Sequence, residues 1–348
     1  MPPTTPAAWA AHYRQFAAVE CPAQPTYVAI CQAIAADPEL LALHDEIPPA
    51  QARANLLLAA LHERLLAGVA HPLADYYPTL GGDRAPDAEL AGQLRDFALG
   101  AQREPIRQHL RSRATQTNET GRCAPLRLAL DAIGQQHPRL ALFDFGASAG
   151  LTLGVDEDGI DFGAFQRGPG RRLQLRCDWR GGLPPAGSAW TLEARAGVDL
   201  SPVDVQDADA CRWLEACVWA HDVERLQRLR RALAWAREQG PLVSAQADGL
   251  QALAEWMDGL APGVQPVLLT SWVLSYFSAA ERAAFHARVA ALTQARGLIW
   301  ICAEAPTQHP LPPAHPGPPA ATLWSLYGPQ GAQPLLWSHP HGTWAQAV

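Results

Sequence analysis

Residues 140–150 read Leu-Ala-Leu-Phe-Asp-Phe-Gly-Ala-Ser-Ala-Gly. Leu140 to Phe145 is a short apolar run broken only by Asp144, and small residues follow it. A buried strand running into a tight turn has this pattern. The turn has two readings. Asp144-x-Gly146-x-x-x-Gly150 is a glycine-rich loop at the carboxyl end of a parallel strand. Its small residues, Gly146, Ala147, Ser148, Ala149 and Gly150, let the backbone approach a nucleotide-like ligand. Asp144 would then accept from a ligand amine or hold the loop. Gly146-x-Ser148-x-Gly150 is instead a nucleophile elbow, presenting Ser148 as in a serine hydrolase.

Position in the chain favours the first reading. Everything upstream is patterned for helices: Trp9 to Ala18, Tyr27 to Ala35, Leu40 to Leu43, Ala52 to Leu66, Asp87 to Leu99 and Glu104 to Arg113. Pro38, Pro48, Pro49 and Pro72 punctuate these segments, as residues without a backbone donor should. An elbow of the hydrolase type follows several strands and an oxyanion-hole loop, and neither precedes Gly146. Residues 1–136 therefore read as an all-helical region, a cap or lid. Residues 137–348 read as an α/β domain with the glycine loop after its first strand.

Downstream, short apolar runs alternate with helices. Strand candidates are Leu173 to Trp179, Ala194 to Leu200, Pro241 to Ala245, Val264 to Thr270 and Leu298 to Glu304. A broken helix spans Ala208 to Glu238 and another Ala279 to Arg296, while Ala321 to Leu326 and Pro334 to Ser338 form a closing antiparallel pair. This alternation implies a doubly wound, mostly parallel sheet with helices on both faces. Asp199 closes the second strand, where a carboxylate can accept both hydroxyls of a ribose. Asp248 closes the third, and Thr270 ends the fourth. The interval from Gly150 to Asp199 is long, so an insertion around 152–190 must hold Ile160 and Leu173 to Arg180, as a hairpin. If Leu173 to Trp179 were the second strand, Asp178 would be the ribose acid.

The order of strand, glycine loop, acid, acid and strand-to-helix turn resembles the class I S-adenosylmethionine-dependent methyltransferases. The residues that carry the resemblance are Asp144 to Gly150, Gly197 to Pro202, Ala247-Asp248 and Thr270 to Tyr276. It implies a Rossmann-like sheet and S-adenosylmethionine as cofactor, held by Asp144, the 146–150 loop, Asp199, Asp248 and Thr270. The acceptor is expected to be a small molecule. The fourth strand ends in Thr270-Ser271-Trp272, not in the Asn/Asp-Pro-Pro-Tyr of enzymes that methylate nitrogen in nucleic acids and proteins. The whole chain also resembles a bacterial family of unknown function. Asn55 to His62, His71 to Pro78, Gln116 to Glu119, Gly146 to Gly150 and Asp199 to Asp204 carry that likeness.

The polar run Thr115 to Arg122 stands just before the sheet domain. Asn118 and Arg122 are candidate substrate contacts with Trp272, and Glu119 and Tyr276 are candidates for taking a proton from the acceptor. The same run also suits helix capping, since Thr and Asn favour N-caps and Gly suits a chain turn.

Composition removes other chemistries. The chain carries 27 Lys+Arg against 34 Asp+Glu, and all 27 cations are arginine. Without lysine there is no Schiff base, no phosphate-loop lysine and no kinase strand lysine. A pI near 5.9 argues against a nucleic-acid partner. The 7 cysteines include no Cys-x-x-Cys pair, which reads as reduced thiols in a cytoplasmic protein. No run reaches the roughly 18 apolar residues of a membrane helix, and no signal-peptide pattern opens the chain. His309, His315, His339 and His341 lack ligand spacing, so no metal is expected and they read as surface residues. Arg167 to Arg172 reads as a solvated turn.

Overall fold

A computed structural model describes residues 3–311 and 313–348. Its α-helices are α1 (Pro6–Val19), α2 (Pro25–Ala36), α3 (Pro38–Ala42), α4 (Ala54–Leu66), α5 (Leu90–Leu99), α6 (Arg103–Ser112), α7 (Cys123–Gly134), α8 (Ala208–Ala216), α9 (Val223–Gln239), α10 (Gly249–Asp258) and α11 (Ala279–Arg296). Its strands are β1 (Arg139–Phe145), β2 (Gly159–Asp161), β3 (Gln166–Arg167), β4 (Gln174–Arg176), β5 (Asp178–Trp179), β6 (Thr191–Asp199), β7 (Val243–Ala245), β8 (Gln265–Ser271), β9 (Ile299–Glu304), β10 (Thr322–Gly328), β11 (Gly331–Ser338) and β12 (Trp344–Ala347). The chain forms two compact units, Met1–Thr117 with Gln206–Arg230, and Asn118–Val205 with Arg231–Val348.

The first unit is helical throughout its described residues. Pro6, Pro25 and Pro38 open α1, α2 and α3, at the position where a missing N–H costs nothing. Helix α4 is apolar on nearly every side, with Leu56, Leu57, Ala60 and Leu61 fully buried, and it packs chiefly against α6 and α8. Its His62 is buried too. Nδ1 lies 3.2 and 3.1 Å from the carbonyl oxygens of Ala216 and Val218, and Nε2 lies 2.9 Å from the Thr79 hydroxyl. Two carbonyls at Nδ1 put the proton there, and Nε2 accepts from Thr79. Burial holds this imidazole neutral, with its pKa lowered to about 4.

The second unit is built on a nine-stranded sheet in the order β5-β12-β11-β10-β9-β8-β1-β6-β7. The run β7-β6-β1-β8-β9 is parallel throughout. From β9 outwards the chain turns back on itself, and β9-β10-β11-β12 pair antiparallel in sequence. The closing pair expected at Ala321–Leu326 and Pro334–Ser338 is β10–β11. Leu140, Leu142, Val267, Leu268 and Ile301 are fully buried, as central parallel strands covered on both faces must be.

The interval before Asp199 differs from the hairpin expected there. Strands β3-β2-β4 form a small separate sheet, antiparallel then parallel. The run Leu173 to Trp179 is divided between two sheets. The Cys177 N–H bonds to Asp161 in the small sheet, and the next N–H, of Asp178, bonds to Thr343 beside β12. The strand beside β1 is β6, so Asp199 ends the second parallel strand and Asp178 lies at the far edge of the large sheet.

Candidate ligand-binding site

Strands β7, β6, β1, β8 and β9 point the same way, so their carboxyl ends share one edge. From β1 the chain moves outward through β6 and β7, then returns to β8 on the other side and continues to β9. Strand order thus reverses between β1 and β8. In open α/β sheets such a reversal is where diverging connections generally make room for a ligand outside the strand ends.

The backbone is strained on both sides of that reversal. Ser148, after β1, has φ 52°, and Trp272, after β8, has φ 59°. Each costs on the order of 1–2 kcal/mol for a residue with a side chain, so the surroundings must hold it. At Ser148 the hold is dense. Its N–H donates to Asp199 Oδ2 at 2.9 Å, and its carbonyl accepts from Val203 at 3.1 Å. Asn118 Nδ2 donates to the Ser148 hydroxyl at 3.1 Å, and Asn118 Oδ1 accepts from Ala149 N–H at 3.3 Å. The N–H groups of Gly146 and Ala147 both reach the Val198 carbonyl. The glycine at 146 has its own cause. Its φ is 84°, and an added Cβ would stand 2.6 Å from Val273 Cγ2. A neighbouring side chain fills the space beside Gly146, so both the left-handed backbone and the packing there require glycine.

The acids at the strand ends have distinct surroundings. Asp144 is buried, accepts a hydrogen bond from the Thr152 hydroxyl, and has its pKa pushed up to about 6, chiefly by burial. The Arg122 charge opposes that rise, and Asp199 adds to it. Asp199 accepts from Ser148 through Oδ2 and from Ser201 N–H through Oδ1 at 2.9 Å. A carboxylate has about four lone-pair sites, so each Asp199 oxygen keeps one. Asp248 caps α10 by accepting from Leu250 and Gln251, and pairs with Arg288 at 2.9 Å. Arg288 first, then those N–H groups, hold Asp248 below the usual carboxylate range.

Asn118, Arg122, Asp144, Ser148 and Asp199 come together at this edge. Arg122 Nε donates to the Pro340 carbonyl at 2.9 Å, and Nη1 reaches the Ser271 carbonyl at 3.3 Å. Glu119 is buried, and its Oε1 accepts from Gly121 N–H at 2.8 Å, a local capping contact. Thr270 faces the core and accepts from Trp300 Nε1 at 3.0 Å. Trp272 donates through Nε1 to Thr322 at 2.9 Å. Tyr276 is 73% exposed, on a single turn after β8.

Two residues escaped the sequence reading. Glu304 ends β9 and is fully buried, although the strand-end acid rule that singled out Asp199 and Asp248 applies equally to it. Its Oε1 accepts from Val273 and Leu274 N–H at 3.1 and 3.4 Å, while Oε2 is buried without a hydrogen bond. Leu200 follows Asp199 and is 81% exposed, an apolar side chain beside the acid.

The histidines divide differently from the surface reading. His309 is buried, with Nδ1 3.3 Å from the Tyr327 hydroxyl and Nε2 3.8 Å from Cys302 Sγ. It fastens the start of the Pro-rich segment 308–319 to the sheet. Among the described residues no three His, Cys, Asp or Glu side chains stand close enough to hold a metal ion. No single helix among them is long and apolar enough to cross a membrane.

A family model described as "Uncharacterized protein conserved in bacteria (DUF2332)" matches residues 10–346. The chain belongs to this family. No curated protein and no solved structure matches it.

Proposed function

We propose that the second unit binds S-adenosylmethionine across the carboxyl ends of β1 and β6, in a Rossmann-like methyltransferase arrangement, and methylates a small molecule on the β8–β9 side. The observation that carries this reading is the tie between the strained Ser148 loop and Asp199 at the end of the neighbouring strand. A ribose has two adjacent hydroxyls. The lone pairs left on the two Asp199 oxygens suit such a pair of donors. Leu200 offers exposed apolar surface beside that acid for an adenine ring. Asp144 and Asp199 put negative charge where a sulfonium and an ammonium would lie.

Bound there, the cofactor supplies an electrophilic methyl group. The chain's task is to align the acceptor in line with it. Asn118 and Arg122 stand at the same edge as the loop, and Trp272 follows β8. Where the acceptor must lose a proton, Glu119 and the exposed Tyr276 are the candidates for taking it.

Isothermal titration with S-adenosylhomocysteine tests the reading. Saturable heat is expected, weakened by about 1.5–3 kcal/mol in Asp199→Ala, the worth of hydrogen bonds to a charged group. Asp178→Ala at the far sheet edge should leave it unchanged. No heat and no thermal shift would end the cofactor reading. The left-handed backbone at Ser148 also suits a nucleophile elbow. Stoichiometric labelling by a fluorophosphonate probe, lost in Ser148→Ala, would make the protein a hydrolase instead.

A further inference from the structure

We infer that Glu304 is a positioning residue: it fixes the strained turn after β8 and, through Val273, the glycine loop after β1. Its Oε1 accepts both Val273 and Leu274 N–H groups, immediately after the left-handed Trp272. These are the N–H groups that a departure from the strand direction leaves without a ladder partner. The Val273 side chain in turn stands where a Cβ on Gly146 would be, 2.6 Å away at Cγ2. One buried carboxyl therefore sets a turn whose next side chain abuts the loop on the neighbouring strand. Packing this close transmits a displacement and does not absorb it.

The second oxygen gives the device a charge dependence. Oε2 is buried without a hydrogen bond, so ionising the group leaves a poorly compensated charge. Burial pushes the Glu304 pKa up to about 7, against the two backbone N–H groups, the Arg122 charge and the Thr270 hydroxyl. The groups that face it are Arg122, the Thr270 hydroxyl and the Cys302 thiol, with His309 bonded to its backbone carbonyl. Arg122 is the one permanent cation among them.

Hydrogen exchange of the full chain, read by mass spectrometry, tests this without any ligand. In Glu304→Ala, peptides covering 271–277 and 144–151 should both exchange roughly tenfold faster or more, with helices α1 to α6 unchanged. Glu304→Gln keeps the Oε1 acceptor and should match the wild type at or below about pH 4.5. Between about pH 4.5 and 8, after correction for intrinsic rates, both peptides should loosen in the wild type and stay flat in Glu304→Gln. Val273→Ala should loosen 144–151 while 271–277 stays protected. Unchanged exchange in Glu304→Ala, loosening confined to 271–277, or an equal pH response in Glu304→Gln would overturn the inference. If Glu304→Ala fails to fold, the Gln and Val273 variants decide it. Titration with S-adenosylhomocysteine reports separately, so the ligand reading can fail while the positioning role stands.

Discussion

Asp144 lies one residue before the end of β1 with its carboxyl buried against Thr152. Burial raises its pKa from 3.8 to about 6. The fold thus favours the protonated form more than the unfolded chain does. That stabilisation is fully present below about pH 3.8 and is lost as pH rises through about 6. Asp144→Asn has no proton to lose. Urea unfolding at pH 4.5 and pH 7.5 should therefore show the wild type losing on the order of 3 kcal/mol more than the variant over the full window, most of it above pH 4.5. Equal losses in the two proteins would mean that Asp144 ionises in the fold as it does in water. An acid beside a glycine turn can be found in a string of letters. Whether it is solvated, capped or buried depends on Thr152 and on strands contributed from elsewhere in the chain.

Among the elements, α11 was the most legible. Its expected span, Ala279 to Arg296, is the observed one because the letters at both ends have local physical meaning. The Ser278 hydroxyl accepts from Glu281 N–H at 3.3 Å while Glu281 accepts from Ser278 N–H at 2.8 Å, and Gly297 ends the helix in the left-handed conformation. Ser278→Ala should cost about 1 kcal/mol in a denaturant melt, and no loss would mean the box is idle. Helix α10 is less legible, because Asp248 reads equally well as the acid after β7 and as the cap on Leu250 and Gln251 that it is. Strand β12 is illegible for another reason. Its four residues are too few for a period-two pattern, and they form a strand only because Leu336 to Ser338 lie alongside.

For the whole second unit, Arg172 is the tie between distant segments. Its side chain is buried and bonds both oxygens of the equally buried Asp158, at 2.7 and 2.6 Å, together with the Leu151 carbonyl at 2.6 Å after the glycine loop. It also contacts Cys123 at the start of α7 and lies 4.8 Å from the Trp235 ring centroid. Arg172→Met would leave a buried carboxylate alone, a loss of about 3–5 kcal/mol by chemical denaturation. A loss below about 1 kcal/mol would place the pair among exposed ones. By its local letters Arg167 to Arg172 reads as a solvated turn. An arginine in a Gly-Pro-Gly-Arg-Arg run has every local mark of the surface, and only Asp158, 14 positions back, makes it interior.

By itself the sequence determined what depends on neighbours along the chain. The helical first region, the strand ending at Phe145, the glycine turn after it and the capped α11 all follow from period, proline and cap chemistry within a few residues. The missing lysines likewise remove their reactions whatever the fold. Tertiary structure alone decided which strand lies beside β1, and so that Asp199 and not Asp178 stands by the loop. It also decided that Val273 fills the space beside Gly146, that Glu304 is buried under the β8 turn, and that His309 is interior. Strand order and burial are set by contacts between segments far apart in sequence. A side chain's charge, partner and exposure are properties of those contacts and not of the letter that encodes it.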